Sequence, residues 1–508
     1  MYKLKFELEQ HTPIIHFQAK DAGATLRASE VKPKLDKFIL TQIGKRFVND
    51  PKVNEEECYK EGKKHLQKKD ADARRVYEEE KKKGNKDAKL ELCLIPGQEG
   101  ALNYKLSFKL SSDAKVQYFL PMSSNPKDAD TLKSHVQKKL GVQEVEILPL
   151  TSYFANEDKA KSEPTKKDGD TPKDIKDKER LFEKNWQKVQ LATLVNTPVE
   201  GVMHFQNAGL REEVNNLITN FFMLHNFGAR QSKGYGSFTI KSQGVANIRA
   251  VYKYSFDISS KDYKEVMNRI NYFYKSLRSG INEYRRRGEQ NRSILYFKSA
   301  LHYYATTAEE KQWDKKSIKE YFFPQKLDEE KTKYKVKDIS SKEKNDFRDL
   351  LGFSADEVWG KKYQVKKTCK KETDEGVKEF SRLKSPIQFK PIRFDKGFTV
   401  FFDVFPEYSG WDKFLGSEVS VEAFQVKKED ITGKEKDTTG KKNLIPLKEK
   451  PLTLKVPTDI DLKDVLKYIF SNIKPELRVT VKKGGEDIFD GIKAIYNKLQ
   501  NELKENER

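Results

Sequence analysis

The sequence predicts an α+β protein of two domains, and three observations lead there. Tyr2, Leu4, Phe6 and Leu8 alternate with polar neighbours, the period-two mark of a strand with one buried face. Apolar residues then recur at helical spacing, at Val31, Leu35, Phe38, Ile39 and Ile43 and again at Leu210, Val214, Leu217, Ile218, Phe221 and Phe222, with strand-like segments around both sets. At 508 residues the chain also exceeds what one hydrophobic core serves.

Taken in order, the N-terminal strand leads into a helix for which Ser29 is the expected cap, with Pro33 in its first turn. Residues 49–89 are dominated by charge and read as a flexible or helical insertion outside the core. Strand-like segments follow at Leu90–Pro96, Leu102–Leu110 and Val116–Leu120, and the charged stretch 157–180 reads as a loop excursion. Val199–Phe205, the helix carrying Leu210 to Phe222, and a strand with Phe238 and Ile240 complete a βαββαβ order with insertions. The first domain is therefore set at 1–244. Residues 245–508 read as a second α+β domain with a helical insertion. Its strand Val251–Ile258 precedes a helical stripe at Val266, Ile270, Phe273, Leu277 and Ile281. Further helix is expected through Ile294, Leu301 and Tyr304 and from Trp313 to Phe323, then a hairpin bending at Lys396 and Gly397. A helix at Ile460–Phe470, a strand at Leu477–Val481 and a helix through Ile488 to Leu503 close the chain.

Lys and Arg number 99 against 78 Asp and Glu, a net charge of +21, which favours a polyanionic partner, nucleic acid first. Cys58, Cys93 and Cys369 are far apart, odd in number and without a CxxC pair. That pattern argues against a disulfide framework or a zinc site and fits a reducing cytoplasm. No cofactor and no metal are expected. The N-terminus lacks the apolar core of a signal peptide, and no run approaches the roughly 18 apolar residues of a membrane span, so no membrane partner is expected.

The chemistry concentrates in Asn226–Phe238, reading NFGARQSKGYGSF. Gly228, Gly234 and Gly236 free the backbone for close approach, Arg230 and Lys233 supply charge, Ser232 a hydroxyl and Tyr235 a ring. Such a turn suits phosphates through outward main-chain amides. It is neither GxxxxGK[ST] nor GxGxxG before a helix. A glycine-rich hairpin with exposed cations is the plainer reading of the same residues.

The run GARQSKGYGSF, after a helix and before a strand, resembles the glycine-rich loop of RAMP proteins, the ferredoxin-like (RRM-like) RNA-binding subunits of CRISPR effector complexes. Thr12, Pro13 and His16 are similar to that family's TPxHxG segment, whose glycine is missing here. Arg382, Ser385 and Pro386 are similar to an R-x-x-S-P segment of larger type III subunits, and FRDLLGFSADEVW at Phe347–Trp359 is also family-like. The resemblance implies two ferredoxin-like domains and a non-catalytic, cytoplasmic subunit of a type III antiviral effector, Cmr-like and capping the end of its filament. Its partners would be CRISPR RNA, target RNA and other effector subunits.

A protein that accepts many guide sequences should grip the backbone with cations and stacking rings. The expected RNA contacts are Arg27, Gly228, Arg230, Ser232, Lys233, Gly234, Tyr235 and Gly236, with Arg285, Arg286, Arg287 and Arg292, where a solvated helix end is the plainer reading. The rival is an endoribonuclease that processes repeat RNA through His11 or His16, or cuts target RNA through Asp21, a residue similar in position to the catalytic aspartate of RNA-cutting backbone subunits. His225 reads as local packing or a phosphate contact, and His204 as a core residue.

Overall fold

A computed structural model describes residues 1–16, 25–48, 54–122, 126–142, 144–149, 169–241, 247–287, 290–324, 344–359, 363–373, 376–406, 410–426 and 444–506. The chain divides into two compact units, Met1–Asn268 with Phe389–Phe402, and Arg269–Gln388 with Asp403–Arg508. The first unit thus continues past the border expected near Gly244 and includes part of a later hairpin.

In chain order the first unit contains β1 (Tyr2–Gln10), β2 (Ile14–Ile15), α1 (Ala28–Lys45), α2 (Glu55–Lys82), β3 (Tyr104–Lys109) and β4 (Val116–Met122). It continues with α3 (Pro126–Leu140), β5 (Val145–Pro149), α4 (Pro172–Lys188), β6 (Ala192–Val195), β7 (Val199–Phe205), α5 (Ala208–Leu224), β8 (Phe238–Ile240) and β9 (Tyr254–Ile258). The main sheet runs β3-β7-β1-β8, antiparallel throughout, with Tyr2 opposite Phe205 and Leu8 opposite Ile240. With α1 and α5 as crossovers the order is βαββαβ, and the spatial order second–third–first–fourth matches the ferredoxin-like plan. Leu4, Leu8, Met203 and Phe205 face Val31, Leu35, Phe38, Phe221 and Phe222 in one core. Smaller sheets, β2-β6-β4-β5 and a three-stranded one of Ile387–Phe394, Gly397–Val404 and β9, complete this unit.

The charged insertion is helical, and its packing face was hidden because it is built from small and polar residues. Cys58, Gly62, Leu66 and Asp70 recur every four residues along α2 and are buried. A Cβ on Gly44 of α1 would stand 1.7 Å from the Cys58 carbonyl oxygen, and one on Gly62 would stand 1.9 Å from that of Leu40. The two helices approach backbone to backbone, which only glycine permits. Asp70 then accepts the amides of Cys93 and Leu94 at 2.7 and 2.9 Å, tying α2 to the next segment.

Several expectations are corrected. Arg27, and not Ser29, occupies the N-cap of α1, without a side-chain capping bond, and Pro33 lies inside the helix. The stretch expected as a loop contributes to α4, capped by a reciprocal Thr171–Asp174 pair at its start; 157–168 lies outside the described residues. Gly280, at φ 79, ends the helix Tyr263–Arg278, so Ile281 opens a strand instead of extending the helical stripe. The segment through Ile294 is a strand as well, and helix resumes only at Ala300–Thr307. His204 is half-buried on β7, opposite Lys3 and Lys105, and is no core residue.

The second unit pairs β10 (Ile281–Arg287) with β11 (Gln290–Phe297) and adds Val479–Val481 as a third antiparallel strand. Phe273, Phe470 and Tyr496 pack together from three helices beside them. A six-stranded antiparallel sheet between Asp356 and Lys455 buries Val365, Cys369, Val419, Val421 and Leu454. Among the described residues no helix is long and apolar enough to cross a membrane.

Candidate nucleic-acid interface

The glycine-rich turn is closed by its own ends and clamped from two sides. Asn226 bridges Ser237, and the Phe227 amide donates to the Gly236 carbonyl at 2.9 Å. The first clamp is the TP segment between β1 and β2. The buried Thr12 hydroxyl donates to the Gly234 carbonyl at 2.7 Å and accepts the Ser237 amide at 3.0 Å. The carbonyls of Pro13 and Ile15 accept the amides of Gly236 and Ala229 at 2.9 and 2.8 Å. Glu30 of α1 adds a charged acceptor for the Gly228 amide at 2.6 Å. The second clamp is the strand at Phe389. Its carbonyl accepts Asn226 Nδ2 at 2.7 Å, and its amide donates to the Ser232 carbonyl at 3.1 Å.

This geometry corrects the picture of a turn that aims its amides outward. The amides of Gly228, Ala229, Lys233, Gly234 and Gly236 all bond within the protein. Gly234 and Gly236 are buried, and Tyr235 has no exposed surface, so its ring is packed in the unit and unavailable for stacking on a base. What the turn offers outward is its tip, Arg230 to Lys233, half-buried. Arg230 takes φ 61, a left-handed backbone that costs a non-glycine residue about 1 kcal/mol or more. Arg27 is half-buried at the start of α1.

A lysine that sequence reasoning passed over supports the turn from beneath. Lys390 is fully buried, and its Nζ donates to the carbonyls of Phe222, His225 and Phe238 at 2.7, 2.9 and 2.9 Å. Burial pulls its pKa well below the ordinary lysine value. Three acceptors nevertheless match the three donors of an ammonium, and the charge sits at the C-terminal end of α5, where helix carbonyls favour a cation. In an alternating strand pattern a lysine reads as solvent-facing, so nothing in the sequence marks it.

His11 is built in as a structural group. Its Nε2 lies 2.7 Å from the Thr239 hydroxyl, and its Nδ1 accepts the Arg393 amide at 3.2 Å. Both nitrogens are engaged, and burial, with Lys390 and Arg393 nearby, pulls its pKa down to about 3. Unfolded, it takes up a proton near 6.5, so between the two values the unfolded chain binds more protons and stability rises with pH. Acidifying from pH 7 to 5 should therefore cost up to about 2 kcal/mol through this residue. Thermal melts across that range test it: His11→Gln should flatten the profile, and an unaltered profile assigns the effect elsewhere. His16 is buried nearby in sequence, Asp21 lies outside the described residues, and His225 rests its ring on Phe221 with Nδ1 3.1 Å from that residue's carbonyl. Among the described residues no group of three or more His, Cys, Asp or Glu is placed to hold a metal ion.

The arginine cluster lies on a hairpin and not at a helix end. Arg285 stands opposite Arg292 in the β10–β11 ladder, Arg286 opposite Asn291 and Arg287 opposite Gln290. Arg285 and Arg292 are exposed; the side chains of Arg286 and Arg287 lie outside the described residues.

The motif Phe347–Trp359 gains a physical meaning. Arg348, Asp349 and Glu357 belong to a buried ionic network with Arg278, Asp314 and Lys367, so it is a structural signature of the second unit.

Family models match both halves of the chain, the Cmr1 N-terminal domain over residues 1–281 and the Cmr1 C-terminal domain over 296–501. No curated protein and no solved structure matches it.

Proposed function

Since the chain belongs to the Cmr1 family and so is a subunit of a type III CRISPR effector complex, we propose that it grips guide RNA or the guide–target duplex by the backbone, without catalysis of its own, in antiviral defence. The contact in the first unit is the tip of the glycine-rich turn, with the side chains of Arg230, Ser232 and Lys233 replacing the amides as phosphate ligands. The observation that carries this reading is Arg230 itself. A left-handed backbone position suits glycine, yet here it presents a guanidinium from a turn clamped on both sides. A cation carried on a backbone fixed in this way reaches the phosphate with its main chain already ordered, and it reads no base.

Arg230→Gly combined with Lys233→Ala separates this role from a structural one. Glycine relieves the strained backbone, so the melting temperature should hold or rise. Affinity for two unrelated single-stranded RNAs, followed by fluorescence anisotropy, should fall about tenfold for both. The plot of log K against log salt should flatten by about 1.4, about 0.7 for each lost phosphate contact. Equal affinity in parent and variant removes the turn from the interface. Labelled repeat RNA incubated with and without divalent metal should stay intact; cleavage in either condition overturns the non-catalytic part.

A further inference from the structure

The second unit carries a concentration of positive charge at the β10–β11 hairpin. Residues directly opposite in an antiparallel ladder share one face, with Cβ atoms about 5 Å apart, and like charges so placed repel. Arg285 and Arg292 are such a pair, both exposed, and among the described residues no carboxylate pairs with either. The strand Val479–Val481 lies along the other side of β11, and the turn after it folds back on the hairpin. The Lys482 amide donates to the Ile294 carbonyl at 2.8 Å. Two glycines make this return possible. A Cβ on Gly485 would lie 2.3 Å from the Ile294 carbonyl oxygen, and one on Gly484 would lie 2.8 Å from Nη1 of Arg285. The Arg285 guanidinium thus rests against a turn that bears Lys482 and Lys483, both exposed. Of the two carboxylates that follow the turn, Glu486 and Asp487, Glu486 accepts the Gly484 amide at 2.6 Å.

We propose that the β10–β11 hairpin and the Lys482–Gly485 turn form a second RNA-backbone site, distinct from the glycine-rich turn. Arg285, Arg292, Lys482 and Lys483 contact successive phosphates of a single strand. This inference rests on the reading of RNA as the partner. Guanidinium forks match phosphate oxygens in pairs, and successive cations track a single strand without reading its sequence.

The test uses the full chain and a fluorescent 30-nucleotide oligouridylate. Two variants are compared with the parent, Arg285→Gln with Arg292→Gln, and Lys482→Gln with Lys483→Gln, and the Arg230→Gly, Lys233→Ala variant is run beside them. Each hairpin or turn variant should bind about tenfold more weakly, with a salt slope shallower by about 1.4. The arginine pair should melt no lower than the parent, because its removal relieves repulsion. Parent-like affinity in both charge variants overturns the site. Absence of RNA binding by the parent overturns instead the RNA reading beneath it, and loss confined to the hairpin variants removes the glycine-rich turn while leaving this site standing. Displacement of the oligouridylate by polyglutamate as effectively as by unlabelled RNA assigns the patch to an acidic protein partner and overturns the proposal.

Discussion

Asp349→Ala is expected to destabilise the second unit by about 3–5 kcal/mol, because it strips a carboxylate from Lys367, a wholly buried cation that has no water to fall back on. Asp349 and Lys367 are wholly buried and stand 2.6 Å apart, and Arg278 Nη2 approaches the other Asp349 oxygen at 2.8 Å. Without that carboxylate, Lys367 keeps only Glu357, at 3.0 Å, and Arg278 keeps the Gly352 carbonyl, at 2.6 Å. Glu357 is also shared with Arg348, at 2.9 Å, so it cannot compensate both neighbours. Burial pushes the Asp349 pKa up, and Lys367, Arg348 and Arg278 more than reverse this, holding it below the ordinary value. A carboxylate with a depressed folded pKa contributes its stability above its unfolded pKa and loses it as pH falls through the folded one. The full effect is therefore present at pH 7. Urea unfolding followed in the parent and in Asp349→Ala at that pH gives the difference, and coincident curves would show that the network contributes nothing net.

How much of this was legible in the sequence depended on what each element buries. β1, β7 and α5 bury large apolar side chains on one face, so period two and period 3.6 stood out at Leu4 and Leu8, Val199 and Met203, Val214 and Phe221. α2 buries a cysteine, a glycine, one leucine and an aspartate, and a hydrophobicity pattern cannot register a face made of missing side chains and a bonded carboxylate. The β10–β11 hairpin was masked by Arg285, Arg286 and Arg287, whose charge outweighed the alternation around Leu295 and Phe297.

The candidate site was legible as a turn and only partly as an arrangement of partners. The three glycines, the cations and the family resemblance of the TP segment fixed where to look. Their division of labour was not readable, because it depends on partners remote in sequence: Thr12 with Gly234, Asn226 with Phe389, Lys390 with the end of α5. Gly236, expected to open the backbone to a ligand, instead opens it to Pro13 and Phe227.

That last reversal has a measurable consequence, because Gly236→Ala should be far more costly than a positive φ alone explains. Gly236 has φ 66, and its added Cβ would lie 1.9 Å from the carbonyl oxygen of Phe227, a backbone atom that no rotamer change can move. Gly97 provides the comparison: its φ is 76, but a Cβ there meets nothing within 4 Å. Gly97→Ala should lose only the left-handed strain, about 1 kcal/mol. Gly236→Ala should lose that and also the Phe227–Gly236 and Gly236–Pro13 bonds, about 4 kcal/mol in all. Because Thr12 bonds on both sides of this residue, at Gly234 and Ser237, the turn's tip should lose its fixed geometry too. RNA affinity of Gly236→Ala should therefore fall even at temperatures where the chain stays folded, while Gly97→Ala binds as the parent does. Equal urea midpoints for the two variants would mean that the turn yields without cost, and a turn that yields so readily would not hold Arg230 in place for a phosphate.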